Sequence, residues 1–231
     1  PVMLFRRNSY TIKDLIIFDE GLLKERIESL DCLNKNIVEP RDVSFIYKNG
    51  TYVIQKEVIG NKVNKDLLAV LINKYIAAGK TELDLEKQQC YHKPKFTADD
   101  RKTKVTLDTL NKYVSAKIKY KFENRYELVD ANVISRWLAV DENLDVKINR
   151  KAINDYIKWL AHKYDTVGAR RKFAASTGKT VEVEGGLYGW KIDQDSEAKA
   201  LIENISQADK IEKEPVYAQK AFSRGENDIG D

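Results

Sequence analysis

The residues of this 231-residue chain that could perform nucleophilic or metal chemistry are few. Cys90 and His92 lie two positions apart, so on a strand they would share a face as nucleophile and base. Nothing nearby supplies an orienting third group or an oxyanion hole, so a buried or idle thiol is the better interpretation. Cys32 is the only other cysteine and His162, the only other histidine, lies far along the chain. The sequence therefore predicts no catalytic residue, no metal site and no cofactor.

The most distinctive stretch is a glycine- and aromatic-rich turn within TVEVEGGLYGWKIDQD, residues 180–195. Val181 and Val183 alternate with glutamates, which predicts a half-buried strand and argues against a nucleotide-binding Rossmann unit. The aromatic residues that follow could form a stacking platform for a sugar ring or could cover the bend, and both interpretations stay open. The candidate binding residues of this turn are Gly185, Gly186, Tyr188, Trp190 and Lys191.

A row of lysines on one predicted strand is a second candidate site. Lys117, Lys119 and Lys121 alternate with apolar residues, so their side chains should project from one face. A solvated face or a charge-protected edge is the favoured interpretation, and a binding strip for an anionic polymer is the alternative. The formal net charge of +4 does not demand a nucleic-acid partner, and none is expected.

Helices and hairpins alternate along the first half of the chain. After a strand-like stretch at residues 10–17, apolar spacing predicts a helix over residues 23–30. A hairpin with an Asn49-Gly50 turn follows, and then a helix over residues 68–76. Residues 81–85 alternate again, which predicts a strand.

The second half repeats this mixture of elements. A strand at residues 117–122 should pair with the segment after the Asn124-Arg125 turn, and the clearest helical stripe covers residues 153–164. Trp137 and Trp159 lie on predicted helices among apolar neighbours, so both are expected in the core. No apolar run approaches the ~20 residues that a membrane-spanning helix needs.

The two halves match each other at a nearly constant shift. Leu23 falls on Ile153 after 130 positions, and Gly60 falls on Gly189 after 129. We therefore expect an α+β fold of two tandem repeats, each a small antiparallel sheet packed with helices. The repeats are expected at residues 1–98 and 99–213, and residues 214–231 as a linker toward a further domain.

The segment FAASTGKTVEVEGGLYGWKIDQDSEAKALIENI, residues 173–205, resembles the peptidoglycan-binding domain found in tandem before the catalytic domain of Gram-positive L,D-transpeptidases. Residues 77–85, 118–138 and 215–231 are also similar to that architecture. The resemblance implies a parent protein that cross-links peptidoglycan through a cysteine in a Ser-His-Gly-Cys motif. Neither Cys32 nor Cys90 lies in such a motif, so this chain is expected to be the non-catalytic region.

The resemblance also implies partners and a location. The expected partners are peptidoglycan, as glycan strand or stem peptide, and a downstream catalytic domain of the same polypeptide. The expected location is extracytoplasmic, at the cell surface or cell wall, with membrane contact only through an anchor absent from this sequence. The same domain also precedes VanW-type domains in other cell-wall proteins, and a structural spacer with no ligand of its own is the alternative function.

Overall fold

The protein is seen here as a computed structural model, which describes residues 18–174, 178–183 and 189–221. The strand-like stretch expected at residues 10–17 lies outside the described residues. None of the helices in the described ranges is long and apolar enough to cross a membrane. The α+β class with small antiparallel sheets is confirmed, in two repeat-like halves.

The described chain forms two compact units that interrupt each other in sequence. One unit contains residues 18–44 and 56–98, and the other contains residues 45–55 and 99–221. The second unit therefore includes the first hairpin of the chain as well as the whole second half.

The first unit contains three helices, α1 (Glu20–Glu28), α2 (Asp31–Asn34) and α3 (Lys65–Ala77). A side-chain oxygen starts each longer helix: Asp19 accepts the Leu22 N–H, and Asn64 accepts the Leu67 N–H, each at 3.0 Å. A small core joins α2, α3 and the segment after α3. Its buried residues are Leu33, Val63, Leu68, Leu71 and Cys90.

The strand predicted at residues 81–85 is wrong. The carboxylate of Asp84 accepts the N–H groups of Glu86 at 3.1 Å and Lys87 at 3.0 Å, which closes a local turn. The backbone extends again only later, where Tyr91 forms an isolated antiparallel bridge with Val63. The apolar residues of this stretch pack onto the core of the first unit as part of a loop.

The second unit contains the remaining elements, apart from Ser44, the first residue of the first strand. They are β1 (Ser44–Lys48), β2 (Thr51–Gln55), α4 (Arg101–Val114), β3 (Lys117–Phe122), β4 (Arg125–Val129), α5 (Ala131–Ser135), β5 (Leu138–Val140), β6 (Val146–Ile148), α6 (Arg150–Tyr164), β7 (Arg171–Ala174), β8 (Thr180–Val183), β9 (Lys191–Ile192), α7 (Gln194–Gln207), β10 (Lys210–Lys213) and β11 (Tyr217–Gln219). β11 lies within the segment expected as a linker.

The turn between β1 and β2 is the predicted one. Asn49 and Gly50 have φ values of 53° and 85°, as a two-residue hairpin turn requires. Most pairs of strands are antiparallel, but β10 runs parallel to β3 with Lys210 opposite Lys117. β10 follows a helix, and a long connection of that kind allows parallel pairing.

The core of the second unit lies between its three-stranded sheet and helices α6 and α7. The apolar face of β3 is buried in it, and so are the residues of the predicted α6 stripe except Tyr156, which is partly buried. Each such side chain contributes about 1.5–3 kcal/mol relative to exposure. The fully buried aliphatic residues are Leu110, Ile118, Val129, Ile134, Ile153, Ile157, Leu160, Leu201 and Ile205.

Two tryptophans expected in this core behave differently. Trp137 is buried, as predicted, but Trp159 is 43% exposed, so the prediction for Trp159 is wrong. Trp159 lies on the outer side of α6, where its ring contacts the Tyr156 ring at 5.5 Å between centroids. A long aromatic side chain is thus left on the surface of the second unit.

Gly60 and Gly189, which the sequence match pairs, each lie against the backbone of another segment. A side chain at Gly60 would place its Cβ 2.5 Å from the Val38 carbonyl oxygen, and one at Gly189 would meet the Thr166 carbonyl at 2.6 Å. Both glycines have positive φ, 70° and 128°. The match between them therefore reflects a close backbone approach that excludes any side chain.

Candidate functional site

An aromatic cleft opens on the second unit where the ends of β3, β4, α6, β9 and β11 meet. Its cavity volume is about 50 Å³, far below the ~300–1,000 Å³ of pockets that enclose a small molecule. The cleft is therefore a contact surface and not an enclosed site. It is lined by Phe122, Glu123, Arg125, Tyr164, Thr166, Trp190 and Tyr217.

One wall of the cleft is a stacked pair of rings. Phe122 is the last residue of β3 and Tyr164 is the last residue of α6. Their ring centroids lie 3.7 Å apart, and the angle between the ring planes is 5°. The Tyr164 hydroxyl donates a hydrogen bond of 2.6 Å to Glu127 Oε1. The position of the Tyr164 ring is thus fixed both by stacking and by its hydroxyl.

Arg125 holds a positive charge against this wall. It begins β4 directly opposite Phe122, and its guanidinium carbon lies 4.7 Å from the centroid of the Tyr164 ring. This distance is typical of a cation–π contact. Among the described residues, no carboxylate forms a salt bridge with this guanidinium, and Arg125 is exposed.

Glu127 is the nearest strand neighbour of Arg125 on the same face, and its carboxylate is already engaged. Lys163 Nζ donates to Glu127 Oε1 at 2.6 Å, beside the hydrogen bond from Tyr164. Burial pushes the pKa of Glu127 up, but these hydrogen bonds and the Lys163 charge outweigh it, so the pKa lies below its usual range. Glu127 is therefore anionic at neutral pH and neutralised by Lys163.

The opposite wall is formed by Trp190 and Tyr217. Their ring centroids lie 4.7 Å apart at an interplanar angle of 57°, and both residues are half-buried. The Trp190 backbone is held to Thr166, because its N–H donates to Thr166 Oγ1 at 3.0 Å and its carbonyl accepts the Thr166 N–H at 2.9 Å. Gly189 makes this close approach possible.

The strand after Trp190 is fixed by a half-buried carboxylate, that of Asp165. Asp165, the residue after α6, accepts the Ile192 N–H at 2.9 Å. Burial raises the pKa of Asp165, while this hydrogen bond and the nearby Lys191 charge oppose the rise. Lys191 itself is exposed on β9, paired with Gln219 of β11.

The turn predicted as a binding site is only partly described. Trp190 lines the cleft and Lys191 lies next to it on the surface. Gly185, Gly186 and Tyr188 lie outside the described residues. A role of this turn in binding stays a prediction.

The three lysines of β3 lie where the alternation places them, opposite the buried face of the strand. Lys117 and Lys121 are exposed. Lys119 forms a salt bridge of 3.0 Å with Glu212 and lies 3.9 Å from the centroid of the Tyr126 ring. Part of the positive charge of this strip is thus already neutralised, which weakens it as a polymer-binding surface.

The sulfur atoms show no sign of catalytic activation. Cys90 is fully buried, and its thiol contacts the Asn64 carbonyl at 3.7 Å. Burial, with a smaller effect of Cys32, raises the pKa of Cys90 and so disfavours the reactive thiolate. Cys32 is exposed, and both cysteines are free. In the ranges that the structure describes, no three His, Cys, Asp or Glu residues are grouped to hold a metal ion.

Most residues of the cleft were not identified from the sequence. Phe122, Arg125 and Tyr164 meet only because the β3–β4 turn folds against the end of α6, a contact between segments about 40 residues apart. One signal was available for Tyr217, since it falls on Tyr91 after a shift of 126. In the structure these two tyrosines pair with Ile192 and Val63 respectively, in equivalent positions.

The cleft is shallow and aromatic, and Arg125 supplies its positive charge. Among the described residues neither cysteine is activated as a nucleophile. These features suit a module that binds a polymer by surface contact. The chain matches the family described as "Putative peptidoglycan binding domain" over residues 7–84 and 96–213. It belongs to that family.

Comparison with curated proteins gives no match. Two solved structures are similar. One is described as the Ldtfm-avibactam carbamoyl enzyme and matches with 25% sequence identity and a TM-score of 0.43. The matched region covers 51% of this chain and 47% of that structure's chain. The other is a mutant L,D-transpeptidase from Enterococcus faecium and matches with 24% sequence identity and a TM-score of 0.42. The matched region covers 50% of this chain and 47% of that structure's chain. The chain thus spans about half the length of these structures.

Proposed function

We propose that this chain is the non-catalytic, peptidoglycan-binding region of a Gram-positive cell-wall enzyme of L,D-transpeptidase type. The observation that carries the proposal is the family match, which extends over both repeat-like halves. In this proposal the cleft contacts the wall polymer and positions it for a catalytic domain elsewhere in the polypeptide. The protein then works outside the cytoplasm, where its polymer lies.

The chemistry of the cleft supports contact with a glycopeptide. Ring faces such as those of Trp190 and Tyr217 pack against the apolar faces of sugars and side chains, and both rings line an open surface. Peptidoglycan is an extended polymer, which an open cleft can accept without enclosing an end. The small volume of the cleft favours such a ligand over a free small molecule.

The cysteines support a non-catalytic role. The pKa of Cys90 is raised by burial, and neither Cys90 nor Cys32 lies in a Ser-His-Gly-Cys motif. In the proposed arrangement, residues 1–98 and 99–213 are the two wall-binding repeats, and residues 214–231 lead toward the catalytic domain. The reading frame after Asp231 tests this context, because the proposal requires a Ser-His-Gly-Cys motif there.

Binding is tested by co-sedimentation of the purified protein with insoluble peptidoglycan. The wild type should be retained, and Trp190→Ala should reduce retention about fivefold to thirtyfold, the effect of losing an anchor of about 1–2 kcal/mol. Tyr126→Ala is the matched control, because Tyr126 is an exposed aromatic residue on the other face of β4. Thermal unfolding checks that both variants are folded. Absence of retention of the wild type would refute the binding function.

A structural spacer is the second candidate, favoured by the half-burial of Trp190 against Tyr217. The two functions differ in the accessibility of Trp190 to a soluble quencher. A variant with Trp137→Phe and Trp159→Phe leaves Trp190 as the single tryptophan. The binding function predicts that peptidoglycan fragments shield its fluorescence from acrylamide, whereas a spacer shows the same quenching with and without fragments.

A further inference from the structure

Arg125 is the one cation that lines the cleft among the described residues. Its guanidinium lies over the Tyr164 ring, which is 7% exposed and is held by stacking on Phe122 and by the hydrogen bond to Glu127. The long arginine side chain is therefore supported by a rigid surface. Ordering it for binding loses less entropy than ordering a side chain free in solvent.

The charges around Arg125 leave it available to a ligand. Lys163 neutralises Glu127, the carboxylate closest to Arg125 along the strand. The Asp165 carboxylate accepts a hydrogen bond from the Ile192 N–H. Glu123, at the β3–β4 turn, is the acidic residue that lines the cleft, and no salt bridge joins it to Arg125 in the described structure.

A guanidinium that stacks on a ring still presents its N–H groups at its edge. That edge matches the two oxygens of a carboxylate, which accept a pair of parallel hydrogen bonds. Lysine is a point charge and does not offer this geometry. The rings of Trp190 and Tyr217 lie in the same cleft, so a ligand held by Arg125 also meets an aromatic wall.

We infer that Arg125 is the carboxylate receptor of the cleft, and that its ligand is a stem-peptide carboxylate whose attached apolar or sugar portion packs on Trp190 and Tyr217. This inference rests on the proposed function and specifies the part of the wall polymer that is recognised. The ligand class is a glycopeptide with a free carboxylate.

The test uses soluble disaccharide-peptides released from peptidoglycan by a muramidase. One portion keeps its carboxylates, and in the other they are converted to carboxamides. Isothermal titration calorimetry measures the affinity of the full chain for each. The wild type should bind the carboxylate form at least about tenfold more tightly, a difference of about 1.4 kcal/mol.

Three variants assign that difference to Arg125. Arg125→Gln should bind both forms equally. Arg125→Lys should keep only part of the preference, because lysine keeps the charge but lacks the paired N–H groups of the guanidinium. Arg150→Gln is the control, since Arg150 is an exposed arginine at the first position of α6. It should behave as the wild type. Thermal unfolding verifies the fold of each variant.

The opposing outcomes are distinct. If Arg125→Gln keeps the wild-type preference, or if the wild type binds both forms equally, the carboxylate receptor is refuted while peptidoglycan binding stands. If glycerol-phosphate polymer displaces the disaccharide-peptide and acetate does not, the site recognises phosphate and the inference is wrong. If the wild type binds neither soluble nor insoluble peptidoglycan, the proposed function itself fails.

Discussion

The side-chain amide of Asn111 hydrogen-bonds to both backbone groups of Tyr52. Its Nδ2 donates to the Tyr52 carbonyl at 3.1 Å, and its Oδ1 accepts the Tyr52 N–H at 2.7 Å. An amide carries the same donor and acceptor as a neighbouring strand, so Asn111 of α4 satisfies the free edge of β2. The Tyr52 hydroxyl adds a hydrogen bond of 3.1 Å to the Ser135 carbonyl. These contacts explain why the first hairpin belongs to the second unit.

Asn111→Ala should destabilise the second unit by about 1–3 kcal/mol, because it leaves two partly buried backbone groups of β2 without their partner. Urea unfolding measures the change. Asn132→Ala is the control: the Asn132 side chain accepts an exposed hydrogen bond from the Tyr47 hydroxyl, so its loss should cost less than about 1 kcal/mol. Equal stability of the two variants would contradict the role of Asn111.

Glu197 is a fully buried carboxylate whose repeat counterpart is Leu68, 129 positions earlier. It accepts hydrogen bonds from the Tyr120 hydroxyl at 2.5 Å and from Lys213 Nζ at 2.8 and 3.1 Å. The Val216 N–H donates a further bond of 2.6 Å. Burial and the Glu197 charge together raise the pKa of Tyr120, so its hydroxyl stays protonated as a donor.

Glu197→Ala should therefore destabilise the protein by about 3–5 kcal/mol, because Lys213 is left as a partly buried, unpaired charge. Replacing both partners, with Glu197→Leu and Lys213→Met, should recover part of that loss, because the unpaired charge is removed while the Tyr120 hydroxyl and the Val216 N–H still lose their acceptor. Urea unfolding of Glu197→Leu, of Lys213→Met and of the variant with both gives the coupling free energy. Additive losses would show that the pair does not act as a unit.

Asp193 starts α7 and provides a test of pH dependence. Hydrogen bonds from the Ser196 N–H at 3.1 Å and the Ser196 hydroxyl at 2.8 Å hold the pKa of Asp193 below its usual range. A carboxyl group whose pKa is lower in the folded state stabilises the fold above its unfolded pKa. That stabilisation is lost as the pH falls through the folded pKa.

Asp193→Asn should keep the cap and remove the titration, as the natural caps Asn64 and Asn149 indicate. The variant is expected to lose less stability than the wild type between about pH 5 and pH 2. Thermal unfolding across this range measures the two slopes. If the slopes are identical, the hydrogen bonds from Ser196 do not stabilise the ionised form.

Local features of the fold were predictable because short-range chemistry determines them. The caps at Asn64, Asn149 and Asp193 and the Asn49-Gly50 turn depend on residues no more than a few positions away. The strand wrongly predicted at residues 81–85 shows the limit. Its alternation is genuine, but hydrogen bonds of the Asp84 side chain close a turn there instead.

The cleft could not be predicted because it depends on contacts between distant segments. Trp190 was identified from its glycine-rich turn, but its neighbour Tyr217 and the Arg125–Tyr164 contact come from other elements. Apolar periodicity likewise predicts that a residue lies on a helix, but it does not predict how deeply the side chain is buried. Trp159 therefore lies on the surface although the sequence of its helix carries the clearest predicted apolar stripe.

Gly189→Ala connects the fold to the proposed binding surface. At φ 128° its Cβ would lie 2.6 Å from the Thr166 carbonyl, so the backbone that holds Trp190 must move. Gly178→Ala is the matched control, because Gly178 also has positive φ, 76°, but its Cβ would have open space around it.

The control should lose about 1–2 kcal/mol, the cost of a left-handed conformation with a side chain. Gly189→Ala should lose more and should also reduce retention on insoluble peptidoglycan at a temperature where it stays folded, since Trp190 shifts away from Tyr217. Gly60→Ala has the same kind of steric conflict in the other half of the chain. It should lose a comparable amount of stability, but its cleft should still bind peptidoglycan. Equal retention of Gly189→Ala and Gly60→Ala would show that the position of Trp190 does not matter for binding.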